Sequence, residues 1–292
     1  MRRTLIPTST LDSSKGRTVN QQGLLGWLLG ISLSLSSVSA QAVWGGDPLA
    51  NSYPLAASLL RMSKPNGDNI AHCKATLIAP LVAITARHCL AYTQITLPGA
   101  ADKSCGKTEV IEAYYEGPSD NTEFGNTPDI AILRLKSPLC GGKPVDFDSS
   151  PLKVDQTLKI VSHSHKVEGD AEYSLPLQIM EKNELSLRAL LGQQDDSILN
   201  PIRLPMDFLD QVIIELIQNE NFMLAIPEPG SATCKGDSGA SLYSDAGIVG
   251  ILHGALPSTS TGVASCRYSR VSYFTPVARS LPWIRKKLVE WQ

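Results

Sequence analysis

Gly236-Asp237-Ser238-Gly239-Ala240 sets a serine between two glycines, directly after an acid. A free serine hydroxyl is a poor nucleophile; it needs a base to take its proton and donors to receive the developing charge. Flanking glycines allow a tight turn that aims the backbone N–H groups of Gly236 and Ser238 at one point, as an oxyanion requires. Alone, the pentapeptide suits an ordinary glycine-rich turn equally well. A base and an acid elsewhere in the chain decide between the two.

Thr85-Ala86-Arg87-His88-Cys89 follows the apolar run Val82-Ala83-Ile84-Thr85 and offers His88 as the base. Thr127-Pro128-Asp129 precedes Ile130-Ala131-Ile132-Leu133-Arg134-Leu135 and offers Asp129 to orient the imidazole. Each residue alone has a plain reading, His88 as a core histidine and Asp129 as a turn residue. Their joint occurrence in the order His, Asp, Ser favours a catalytic set and excludes an α/β-hydrolase lipase or esterase, whose order is Ser, Asp, His. Short runs with β character recur between turn residues, among them Leu55–Leu60, Ala75–Ile78, Leu158–Ser162 and Gly247–Leu252, which predicts an all-β barrel or sandwich. Leu209, Val212, Ile213, Leu216 and Ile217 repeat with helical spacing, and a second helical pattern runs from Trp283 to Trp291.

The 292 residues carry 26 Lys plus Arg against 28 Asp plus Glu, a net charge of −2, which excludes a dedicated nucleic-acid binder. With 42% hydrophobic residues the chain is not disordered. The first 42 residues read as a secretory signal: a polar start with Arg2, Arg3, Lys15 and Arg17, an apolar run from Gly23 to Leu35, and small residues ending in Ala40-Gln41-Ala42. The apolar run is shorter than the ~18 residues of a membrane span. Its removal leaves 43–292, a soluble exported chain with all six cysteines (Cys73, Cys89, Cys105, Cys140, Cys234, Cys266), expected in the periplasm or outside the cell where disulfides persist. His163-Ser164-His165 puts two imidazoles on one strand face, but with no acid or cysteine beside them a surface strand is the better reading, so neither a metal nor another cofactor is expected.

With these motifs the chain resembles the chymotrypsin-like, or trypsin-fold, serine endopeptidases, as a secreted bacterial-type member, from Val43 to Gln292. The resemblance implies two six-stranded antiparallel Greek-key β-barrels with a cleft between them, and a C-terminal α-helix that Pro282-Trp283-Ile284 would begin. A helical insertion over about Glu184 to Asn219 goes beyond that pattern. It also implies the roles of base, orienting acid and nucleophile for His88, Asp129 and Ser238, an oxyanion hole from the Gly236 and Ser238 N–H groups, and an acyl-enzyme intermediate. Disulfides Cys73–Cys89 and Cys234–Cys266 follow from the family, and Cys105–Cys140 remains. Val43-Trp44-Gly45-Gly46 matches the family's mature N-terminus, whose α-amino group pairs with the acid before the nucleophile, here Asp237. No basic residue precedes Val43, so signal cleavage after Ala42 is expected to expose it directly; cleavage after Ala40 is the competing option. Loss of that amine's charge, from a reference pKa of ~7.7–8.0 raised by pairing, would lower activity at alkaline pH.

Trypsin's preference for basic side chains rests on an aspartate six residues before the nucleophile, where this chain has Ala232, so Arg and Lys are not expected at the cleavage site. The expected pocket is Ala232, Thr233, His253, Gly254 and Ala255, with Lys235 at the rim. Thr233 and His253 resemble features of glutamate-specific endopeptidases of this fold, although the histidine of those enzymes would align with Leu252. A one-residue register difference decides whether His253 faces the pocket or Asp129. Small or medium apolar side chains and acidic ones therefore both stay open. Ala240 and Ser241 depart from the family's usual Gly and Pro. Expected partners are protein or peptide substrates and a protein inhibitor, with the enzyme a monomer. The opposing reading is an inactive homologue serving as a secreted binding module.

Overall fold

The computed structural model describes residues 45–48, 59–65, 72–98, 100, 104–116, 127–163, 172–191, 206–256 and 269–291. All belong to one unit of the chain, Val38–Gln292. The proposed signal segment, Val43, His165 and Cys266 lie outside the described residues.

Short runs, several of them mostly buried and apolar, build the first barrel from β2 (Leu59–Ser63), β3 (Cys73–Ala79), β4 (Val82–Thr85), β5 (Gln94–Thr96), β6 (Lys107–Tyr115) and β7 (Ala131–Leu135). These close antiparallel in the order β2-β3-β4-β7-β6-β5. The second barrel takes β8 (Thr157–His163), β9 (Glu172–Ile179), β10 (Met223–Pro227), β11 (Ser241–Ser244), β12 (Gly247–Leu256) and β13 (Val271–Pro276). Their order is β9-β10-β13-β12-β11-β8, and pairing of β8 with β9 closes the ring. The two-residue β1 (Asp47–Pro48) adds to β9 at Ser174 and Tyr173.

The chain between the barrels, after β7, runs along both. Val145 N–H donates to the Leu77 carbonyl in the first, and Asp148 N–H to the Ile248 carbonyl in the second, each at 2.9 Å. Removing backbone groups from water requires such partners. One buried cluster joins the first barrel to Val161, Tyr243, Ile248 and Ile251 of the second and to Val277, Leu281 and Ile284.

The helical repeat around Leu216 forms α2 (Met206–Gln218), preceded by α1 (Glu184–Leu191). Val212, Ile213 and Leu216 pack with Leu187, Leu224, Val271 and Tyr273 against the outside of the second barrel. The last helix, α3, spans Val277–Glu290 with Pro282 inside it. It therefore begins six residues before Trp283, earlier than Pro282-Trp283-Ile284 suggests. Val277, Leu281 and Ile284 supply one buried face at helical spacing. Pro282 is exposed and forfeits the bond to the carbonyl of Ala278, itself an exposed residue.

Candidate active site

The base candidate is carried by a 3-10 turn, Arg87–Ala91, at the end of β4. The Cys73–Cys89 disulfide ties this turn to the start of β3. His88 meets Asp129 twice: its backbone N–H donates to Oδ1 at 2.9 Å, and its Nδ1 lies 2.7 Å from Oδ2. A carboxylate only accepts, so Nδ1 carries a proton, and in the neutral ring Nε2 is the nitrogen with the lone pair. The His88 side chain is 42% exposed and the Asp129 side chain only 6%. Thus the pair is anchored from within and open on the imidazole side. Arg87 supports the approach to Asp129 by donating from Nη1 to the Thr127 hydroxyl at 2.8 Å.

Burial pushes the Asp129 pKa up. The His88 hydrogen bond, the neighbouring charges of His253 and His88, and the backbone N–H outweigh it and bring the value down from 3.8 to about 2. Asp129 is therefore ionised at neutral pH and holds the His88 tautomer.

His253 is the second imidazole at this carboxylate. Its Nδ1 lies 3.1 Å from Asp129 Oδ2, and its ring packs at 5.4 Å from that of His88, 5.2 Å from Phe222 and 5.0 Å from Tyr273. Of the two faces open to it, the imidazole takes the Asp129 side, not the pocket. The cause is an irregularity in β12: Leu252 pairs with Phe274 and Gly254 with Tyr273, leaving His253 as the extra residue. Burial lowers its pKa from 6.5 to about 4, reinforced by His88 and Arg87 and opposed by Asp129. His253 is neutral at pH 7. His88, Asp129 and His253 also converge closely enough to be a candidate metal cluster, but each of the two Nδ1 atoms already faces the same carboxylate oxygen.

Ser238 lies half-buried on the turn between Gly236 and Gly239. Its hydroxyl donates to the His253 carbonyl at 3.4 Å. Asp237, Gly239 and Ala240 N–H groups bond to the carbonyls of Cys234, Leu252 and Asp237. Gly236 and Ser238, interleaved among them, have no such backbone bond among the described residues. Glycine is required at 239: its φ is +81°, and a Cβ would stand 2.3 Å from the Lys74 carbonyl and the Thr85 hydroxyl. Gly236 likewise has a left-handed φ of 98°. Asp237 is wholly buried; Oδ1 accepts from the Ser162 hydroxyl at 2.5 Å and Oδ2 from the Cys234 N–H at 2.8 Å.

Of the pocket candidates, Ala232 and Thr233 are buried and Gly254 and Ala255 half-buried on β12. The Thr233 hydroxyl shares a 2.8 Å bond with that of Ser272 on β13. Cys105 is bonded to Cys140, and Cys234 is disulfide-bonded. Lys74 and Ser162, missed in the sequence, both reach the Ser238 turn; the one visible signal was a lysine inside the apolar stretch Cys73-Lys74-Ala75.

A family model described as Trypsin matches residues 42–284. The chain belongs to the trypsin family. Rat coagulation factor XII is 28% identical over 273 residues, covering 84% of this chain and 40% of its own length, so the chain spans about two fifths of that relative. Human kallikrein-11 is 23% identical over 269 residues, covering 89% of this chain and 85% of its own. Among solved structures, mouse neuropsin, described as a serine protease, superposes with a TM-score of 0.57 at 18% identity, over 83% of this chain and 98% of that one. That likeness concerns the fold. Membership in the trypsin family carries a serine-protease type of hydrolytic function. The disulfides fit an extracytoplasmic protein, and no helix of the described residues is long and apolar enough to cross a membrane.

Proposed function

We propose that this trypsin-family chain is a serine endopeptidase in which Ser238 is the nucleophile, His88 the general base and Asp129 the group that orients and charges the base. The observation that carries the reading is His88 held at both Nδ1 and its backbone N–H by the two oxygens of buried, ionised Asp129. In the reaction the Ser238 hydroxyl exchanges the His253 carbonyl for His88 Nε2 as acceptor and attacks the scissile carbonyl. His88 then passes the proton to the leaving amine, and water hydrolyses the acyl-enzyme. The Gly236 and Ser238 N–H groups would receive the oxyanion.

With Ala232 in place of an acid and the His253 imidazole against Asp129, nothing charged is contributed to the pocket by these positions. The Thr233–Ser272 pair closes on itself. Small or medium apolar side chains are thereby favoured over acidic ones at the cleavage site, and a peptide library reports the choice directly. Export through residues 1–42, cleavage after Ala42 and pairing of the Val43 amine with Asp237 complete the proposal; N-terminal sequencing of active protein checks it, and a Gln41 start in fully active material would overturn that cleavage.

The test of the triad is labelling by a fluorophosphonate. Wild type should be labelled at Ser238 and Ser238→Ala should not. A folded, unlabelled wild type would instead favour a secreted binding module.

A further inference from the structure

Lys74, the second residue of β3, has no solvent exposure. Burying an ammonium is costly unless acceptors replace its water. Here Nζ donates to the Gly236 carbonyl at 2.7 Å. The same residue's backbone N–H donates to the Ser238 carbonyl, also at 2.7 Å, and its carbonyl accepts from Thr85 at 2.6 Å and crowds Gly239. One residue of the first barrel therefore grips the turn on both sides of Ser238.

The peptide planes make the consequence specific. The Gly236–Asp237 peptide is held at its carbonyl by Lys74 and at its N–H by the Cys234 carbonyl at 3.1 Å. The Ser238–Gly239 peptide is held by Lys74 at one end and by Leu252 at the other. Between them lies the peptide carrying the Ser238 N–H. We propose that Lys74 is a positioning residue of the hydrolytic site, its ammonium fixing the turn that aims the Gly236 and Ser238 N–H groups and giving buried Asp237 a resident counter-charge. The proposal rests on the reading of Ser238 as nucleophile. It also gives the order of this turn a source separate from the Val43 amine.

The charge state supplies a readout. Burial lowers the Lys74 pKa from 10.5 to about 8; Asp237 in the turn opposes the shift and Arg61 of β2 adds to it. Rate should fall as pH rises through about 8, when the ammonium is lost. Stability moves the other way: between about 8 and 10.5 the unfolded chain binds the proton and the folded one does not, so Lys74 makes the fold more stable as pH rises. A purely structural lysine has no reason to slow the reaction while the fold is strengthened.

The experiment measures fluorophosphonate labelling rates and urea midpoints from about pH 6 to 10 for wild type, Lys74→Met and Ser238→Ala. Each is prepared starting at Val43 and starting at Gln41. Lys74→Met should label ~10²-fold more slowly at neutral pH, the scale of losing one oxyanion donor. The wild type should show the alkaline fall in both N-terminal forms, and Lys74→Met starting at Gln41 should not. A Lys74→Met protein labelled within about twofold of wild type, with the fall retained, would overturn the proposal, Ser238→Ala remaining unlabelled. Should Lys74→Met not fold, the wild type starting at Gln41 decides: no fall near pH 8 overturns it. Folded wild type that is never labelled defeats the reading of Ser238 itself, and this proposal with it.

Discussion

Asp129 is flanked by two imidazoles, and the buried one, His253, acts on stability in a pH window different from that of Asp129 itself. His253 is neutral in the fold because burial holds its pKa at about 4. In the unfolded chain it returns toward 6.5 and binds a proton first. The unfolded state thus gains protons over the folded state as pH falls from 6.5 to 4, costing on the order of 3 kcal/mol across the window. Asp129 acts lower: its depressed value contributes stability that is present above 3.8 and is lost as pH falls toward 2. We predict that His253→Ser flattens the loss of urea midpoint between pH 6.5 and 4 and leaves the steeper loss below it; an unchanged slope in the variant would refute a buried neutral His253. Which side of the strand His253 faces was not legible from residues alone. Alternation assigns faces only along a regular ladder, and the extra residue at His253 interrupts it. Lys74 escaped for a related reason: the carbonyl that makes its burial tolerable, that of Gly236, lies 162 positions away.

At the scale of elements, the 3-10 turn bearing His88 has no capping side chain at its N-cap, Ala86, and is held from outside by Asp129 at the His88 N–H. The Cys73–Cys89 bridge, closing a loop of 16 residues, ties it to β3 beside Lys74. Replacing both cysteines by alanine should cost ~3 kcal/mol of stability from loop closure. It should also slow labelling of Ser238 in the fraction still folded. Replacing Cys105 and Cys140, which join the loop before β6 to the chain after β7, should lower stability without slowing labelling. Equal effects on labelling from the two pairs would argue against a special role for the first. The strands around Ala75, Ile84, Ile132 and Val249 were readable as short apolar runs bounded by turn residues, and the helix around Leu216 by its helical spacing. The early start of α3 was not, since Pro282 reads as a first-turn residue until the burial of Val277 is known.

For the unit Val38–Gln292 as a whole, catalysis in the proposed form needs groups from both barrels: His88 and Asp129 from the first, Ser238 from the second. Besides Lys74, a buried polar seam joins them. The Thr76 hydroxyl of β3 meets Ser241 at 2.7 Å and Tyr243 at 3.2 Å on β11. Ser241 is one of the two positions at which the sequence departs from the pattern its family resemblance implies, and this seam uses its hydroxyl. The shared apolar cluster runs through the same region. Such coupling predicts one cooperative transition, not one per barrel. Thr76→Val keeps the shape but removes the hydroxyl that Ser241 bonds, and should cost about 1–3 kcal/mol. Urea titrations followed by circular dichroism and by residual labelling of Ser238 should then shift together to lower midpoints. Two separated transitions in wild type, or a labelling loss that precedes unfolding in Thr76→Val, would mean that the barrels hold their own structure and that the seam positions the site without stabilising the fold.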